Sequence, residues 1–135
     1  MTDCIFCKII KGELPCVKVY EDAEVMAFLD IHPVNPGHIL VVPKAHYTNI
    51  LDTPADILNK LMAAAQKIAP AVLKAVNTDS FNLGVNNGAA SGQVIWHTHF
   101  HIMPRYEGDG YKLWGVKAYG PGEMDKLGEA IKAGL

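Results

Sequence analysis

Between Trp96 and Met103 the chain reads WHTHFHIM, with His97, His99 and His101 at alternate positions. Only an extended strand puts such residues on one face; a helix would scatter the three imidazoles around its axis. A strand over Val94 to Met103 carries Trp96, Thr98, Phe100 and Ile102 on its other face, and that face needs an apolar partner. From Ile57 the residues Leu58, Leu61, Met62, Ala65, Ile68, Ala69, Val72, Leu73 and Val76 recur at helical spacing and supply one broad stripe. Thr53 is placed to cap this helix with Pro54 at its first position, and Pro70 is expected to kink it.

Shorter patterns complete the frame. Cys4 to Ile10 suits a short helix ended by Gly12 to Pro15. Val17 to Tyr20 and Glu24 to Leu29 read as a hairpin about the Glu21-Asp22 turn, and the β-branched run His38 to Pro43 as a buried strand. Phe81 to Val85 is a further strand, and Glu123 to Ala133 a small terminal helix. Helices interleaved with hairpin-linked strands argue for an α+β fold with a mostly antiparallel sheet rather than a doubly wound one. With 135 residues, half of them apolar and 19% charged, the chain is sized for one domain spanning 1–135. The segment 108–135 is a tail of unassigned role.

A net charge of −2 gives no overall basic field, so duplex DNA and anionic membranes are poor candidates as partners. The N-terminus has too short an apolar run for a signal peptide, and no segment reaches spanning length, which points to the cytoplasm. Three cysteines, two of them only three positions apart, make a poor disulfide framework.

A lone histidine usually packs in a core or on a surface. Three in register gain little from packing, because any that protonated would repel its neighbours, so the row reads as a functional site. Just upstream, Asn86 to Gln93 is rich in residues that let backbone N–H groups converge on an anion, although such a loop also serves as a plain connection. It lacks the Gly-Lys-Ser/Thr of a Walker loop.

In GQVIWHTHFHIMPR, together with CIFCKIIKGELP and FLDIHPVNPGHILVVPKAH, the chain resembles the histidine triad family. The resemblance implies a HIT-like fold: a five-stranded antiparallel sheet with one long and one or two short helices, dimerising through a second copy. It implies a nucleotidyl hydrolase or transferase acting on purine nucleotides such as adenosine phosphoramidates or diadenosine polyphosphates. By motif position His99 is the nucleophile attacking the α-phosphorus, His101 contacts the phosphate or leaving group, and His38 is a fourth active-site histidine. A neutral imidazole titrates near 6.5 and so has a free nitrogen for attack near neutrality without a separate base.

The same resemblance places Asn86, Gly92 and Gln93 in a phosphate loop, and Asp30 on the ribose hydroxyls. Ile5, Phe6, Ile9, Phe28, Ile31 and Leu40 align with an apolar base pocket. The plain alternatives are an Asx turn at Asp30 and core packing for the apolar set. Val94 stands where several relatives carry a hydroxyl, which leaves a backbone N–H as the substitute contact to phosphate. Cys4-x-x-Cys7 is half a tetrahedral zinc site; zinc-bearing relatives add His46 and His97, so a structural Zn2+ on Cys4, Cys7, His46 and His97 competes with two ordinary buried thiols. Two other functions remain open: a zinc-dependent hydrolase using the strand histidines as ligands, and a nucleotide-binding interaction protein with incidental turnover.

Overall fold

The structure is a computed structural model that describes residues 3–135. Helix α1 (Ile5–Ile10) leads into strands β1 (Lys18–Glu21), β2 (Val25–Leu29) and β3 (Ile39–Pro43). The long helix α2 (Ala55–Val76), strands β4 (Ser80–Gly84) and β5 (Phe100–Arg105) and helix α3 (Glu123–Ala133) follow. The strands form one sheet in the order β1-β2-β3-β5-β4, with every neighbouring pair antiparallel. The expected α+β, five-stranded architecture is therefore the observed one.

The period-two alternation sorts the central strands into two faces. Val25, Ala27, Ile39, Val41, Phe100 and Ile102 meet Ile57, Leu61, Ala64, Ala65, Ile68 and Val72 of α2, all buried. On the opposite face Met26, Phe28, Leu40 and Val42 gather with Phe6 of α1. Leu40 pairs across the ladder with His101, so this second face carries the histidines.

Two details depart from the sequence reading. The strand expected over Val94 to Met103 is ordered as β5 only from Phe100, and it runs on to Arg105. Residues 94–99 are irregular because their bonds go outside the ladder: the Thr98 N–H donates to Tyr47 O at 2.8 Å, and the His97 ring bonds Pro43 O. Trp96 accordingly stands half exposed instead of packing on α2. Pro54, not Thr53, occupies the N-cap of α2, and no side chain caps it. Thr53 is buried and spends its hydroxyl on Asn49 O (2.6 Å) and Thr98 Oγ1 (2.8 Å), tying the start of α2 to the histidine segment. Helix α2 runs through Pro70, which is exposed.

The chain beyond Tyr106 is largely open. No regular element covers residues 106–122, where Leu113, Trp114 and Val116 are 80%, 93% and 95% exposed, and α3 buries none of its side chains.

Candidate active site

His99 ends the irregular segment just before β5, and the backbone fixes its chemistry. Its Nδ1 lies 2.7 Å from the carbonyl oxygen of His97, which can only accept, so Nδ1 carries the proton and Nε2 keeps its lone pair. Phe6 sets its ring edge-on at 5.1 Å, and the side chain is buried. Burial lowers the His99 pKa; the bond to the His97 carbonyl and the charge of Asp30 oppose that only in part. The result is a neutral imidazole with a fixed tautomer.

His101, two residues on, is oriented by a chain of donors. The Val34 N–H donates to His38 Nδ1 at 3.0 Å, which leaves the proton of neutral His38 on Nε2. His38 Nε2 lies 2.9 Å from His101 Nδ1 and donates to it, so the His101 proton sits on Nε2. That Nε2 is buried and has no hydrogen-bond partner among the described residues. A buried, unspent N–H is costly unless something accepts from it, so Nε2 is available to donate to a water or a bound group. Burial, then the neighbouring His99 and His38, push His101 down to about 4. Burial also lowers His38, with Asp30 opposing.

Asp30 shares its two oxygens. Oδ1 accepts from the His32 N–H at 2.8 Å, forming the Asx turn, and Oδ2 stands 3.6 Å from His38 Nε2. Phe6, Phe28 and Leu40 are buried together and Ile9 packs against them. Ile5 is 45% exposed, and Ile31, at 84%, lies outside that cluster.

The loop before the histidines is built from the inside. Gln93 is buried; its Oε1 accepts from the Gly88 N–H at 2.9 Å, while Nε2 donates to Thr48 O (2.7 Å) and Ile95 O (3.1 Å). Its side chain therefore staples the loop. Ser91, Gly92 and Gln93 turn their N–H groups onto Gly88 and Ala89 carbonyls, and the Val94 N–H takes no acceptor among the described residues. Gly92 has φ +100°, a conformation that excludes most side chains, and the Asn86 amide would lie 3.4 Å from any Cβ there.

His97 packs on Phe6 as His99 does, but its ring nitrogens meet other groups. Its Nε2–H donates to Pro43 O at 2.8 Å, which frees Nδ1 to point at Cys4 Sγ (3.3 Å), Cys7 Sγ (3.6 Å) and His46 Nδ1 (3.2 Å). Cys7 Sγ is 3.4 Å from His46 Nδ1, and the four ligand atoms all lie within 4.8 Å of one another. A tetrahedron with zinc-like bonds of about 2.0–2.3 Å has edges of about 3.3–3.8 Å, close to these separations. The donor chemistry also asks for a cation. Burial, with Cys4 beside it, raises the Cys7 thiol to about 11, and burial pushes His97 down to about 4. A metal ion would reverse the first of these and exploit the second. The two cysteines are held in place by α1, whose N-cap is Cys4, with Sγ accepting from the Cys7 N–H at 3.3 Å.

A buried imidazole with a free Nε2, a second buried imidazole N–H two residues away and a glycine-rich loop just before them are thus gathered at one end of the sheet, and the HIT domain family matches residues 11–108. The chain belongs to that family. It is 51% identical to an Arabidopsis thaliana protein named adenylylsulfatase HINT3 over 86% of this chain, and spans 58% of that relative's length. It is 38% identical to adenosine 5'-monophosphoramidase hnt1 of Schizosaccharomyces pombe, over 96% of each chain. Among solved structures it superimposes on SMU.412c from Streptococcus mutans UA159 with a TM-score of 0.92 and 40% identity, covering 98% of this chain and 85% of that one. A zinc-bound histidine triad family protein from Mycobacterium smegmatis aligns with a TM-score of 0.78 and 32% identity, over 98% of both chains.

Sequence reasoning placed neither Asn35 nor Asp109 near the site, and read Thr53 only as a helix cap. Asn35 lies in the Asn-Pro-Gly turn before His38, and its amide reaches Pro104 O and Asp109. The Arg105 and Asp109 spacing of four was the one available signal, and on an irregular segment it carries no helical meaning.

Proposed function

We propose that this chain is a nucleotidyl hydrolase or transferase that cleaves at the α-phosphorus of an adenosine-linked substrate through a covalent nucleotidyl-histidine on His99. The observation that carries the reading is the His99 Nδ1 to His97 O bond, which leaves Nε2 unprotonated and directed by the backbone. The His99 Nε2 pair attacks phosphorus, the bond to the leaving group breaks, and that group departs with the bonding electrons and is protonated from solvent. Water then attacks the same phosphorus and Nε2 leaves with its pair, so the sum is one nucleoside monophosphate and one protonated leaving group per water consumed. His101 is neutral at pH 7 and supplies a hydrogen bond from Nε2 to phosphate or leaving-group oxygen or nitrogen rather than a positive charge.

In this reading Asp30 Oδ2 takes the ribose hydroxyls, and Phe6, Ile9, Phe28 and Leu40, flanked by Ile5 and Ile31, take the purine. The loop from Asn86 through Gly92 and Gln93 receives phosphate, with the Val94 N–H as donor. Names of relatives that act on adenylyl sulfate and adenosine monophosphoramidate support an adenosine substrate over other nucleotides. Cys4, Cys7, His46 and His97 would hold a zinc ion whose chemistry here is structural: it fixes α1 and the His97 backbone that orients His99. The protein would act in the cytoplasm as a homodimer of single-domain subunits, with 108–135 as a tail. The uncharged edge strand β4, with Phe81 and Leu83 part-exposed, favours a second copy, and among the described residues no helix is long and apolar enough to cross a membrane.

A metal hydrolase is the second reading, because Asp30, His38 and His101 also bring three donors within 4.8 Å. Both His38 ring nitrogens are already engaged, which favours the covalent route. The test is an acid-quench experiment with a substrate labelled at the α-phosphate. Wild type should trap acid-labile label and His99→Ala should trap none while still binding nucleotide. Loss of turnover on mild chelation, restored by zinc and without trapped label, would replace the covalent reading; binding with no turnover of any adenosine substrate would leave an interaction protein.

A further inference from the structure

The unspent donor on His101 depends on the tautomer of His38, and that tautomer depends on a backbone N–H in a turn between β2 and β3. One side chain pins this turn. Asn35 Nδ2 donates to Pro104 O at 2.8 Å and to Asp109 Oδ2 at 3.1 Å, while the Asn35 carbonyl accepts from the His38 N–H at 3.1 Å. Asp109 is in turn over-determined. Its side chain is 5% exposed and receives Arg105 Nε at 2.7 Å and Nη2 at 3.0 Å, with the N–H groups of Tyr106 at 3.2 Å and Tyr111 at 3.1 Å. The two bonds from Arg105 are charge-assisted, roughly twice as strong as neutral ones.

We propose that Asp109 and Asn35 are positioning residues for the His38 and His101 pair. Asp109, locked by Arg105, orients the Asn35 amide; Asn35 holds the turn so that the Val34 N–H stays on His38 Nδ1. If the turn loosens, His38 can take its proton on Nδ1 and present Nε2 as an acceptor. Two acceptors would then face each other at 2.9 Å, and His101 resolves the conflict by moving its own proton to Nδ1. The donor at His101 Nε2 is then gone, although nothing touching the ligand has been replaced. The node lies where the open tail begins, so it ties the first residues beyond β5 to the donor end of the site.

Only the kinetic arm rests on the function proposed above. The test is ¹⁵N NMR of the imidazoles in the full chain, for wild type, Asn35→Ala and Asp109→Asn. Wild type should show Nε2–H at both His38 and His101 and Nδ1–H at His99. The variants should show mixed tautomers at His38 and His101, with His99 unchanged as the internal control for folding. In turnover, an adenosine phosphoramidate, whose amine leaves poorly, should slow by about 10-fold or more. The p-nitrophenyl ester of adenosine monophosphate, which needs little help to leave, should slow far less, with affinity for adenosine monophosphate retained. Unchanged tautomers in a folded variant, or Nδ1–H on His38 in wild type should the variants not fold, would overturn the proposal. A wild type inert to both substrates, with tautomers that still shift in the variants, would sink the proposed function and leave this inference standing.

Discussion

Acid should destabilise this protein through His101. The ring titrates at about 4 in the folded chain and at about 6.5 when unfolded. Between those values the unfolded chain binds more protons, so folding stability falls as pH falls through the window and is fully present above it. At about pH 4 the difference amounts to roughly 3 kcal/mol, a large part of the ~5–15 kcal/mol that holds a domain together. His97 is depressed in the same direction but belongs to the cysteine cluster, where release of any bound metal in acid would add a separate effect. His101→Gln isolates the term of interest, since the Gln oxygen can still accept from His38 Nε2. Urea unfolding of both proteins, at neutral pH and near pH 4, gives the double difference. Wild type should lose about 3 kcal/mol more than the variant on acidification. Equal losses would mean that the ring titrates alike in both states, and the buried, neutral donor would have to be abandoned.

Three other perturbations probe separate parts of the site. Gly37→Ala adds a Cβ only 2.7 Å from Val76 Cγ1 at a residue with φ +95°, so melting should show a loss of about 1–3 kcal/mol; an unchanged melting temperature would refute the close packing of this turn on α2. Cys4→Ser should lower both zinc content and melting temperature, by less than the ~10–16 kcal/mol of isolated fingers because the sheet has its own core. Wild type purified without a histidine tag and free of zinc, with unchanged melting in the variant, would return the cysteines to ordinary thiols. Wild type should bind 2′-deoxyadenosine monophosphate more weakly than the ribonucleotide by at most about 1.5–3 kcal/mol per charged hydrogen bond, and Asp30→Asn should narrow the gap; equal wild-type affinities would remove Asp30 from the ribose.

The elements were legible where periodicity and burial agree. The α2 stripe and the β3 run have one arrangement that hides their apolar atoms, and their bounds came out within about two residues of the pattern, the usual uncertainty of helix and strand ends. The strand assigned to Val94 to Met103 was legible only in part. Alternation survives in residues 94–99 as a facing pattern, but side-chain and backbone partners outside the sheet satisfy that stretch, and no local signal reveals a bond such as Thr98 N–H to Tyr47 O. Thr53 failed as a cap for the same reason: its hydroxyl found Thr98, 45 residues away, a more enclosed partner than the N–H groups of α2. Local rules rank local partners and cannot see a competitor brought in by the fold.

The site follows the same division. Alternate histidines identify which rings share a face, and nothing in that spacing says which nitrogen of each ring is free. Here every tautomer is decided by a backbone group: His97 O for His99, Pro43 O for His97, and the Val34 N–H for His38 and through it His101. Each of these belongs to a turn or to a strand end, where the main chain has carbonyls and amides that no ladder uses. A continuous strand through residue 94 would have consumed some of them. Breaking the strand before Phe100 is therefore what lets one face hold, within a span of five residues, a ring turned to the cysteine cluster, a ring with a free Nε2 and a ring with an unspent N–H.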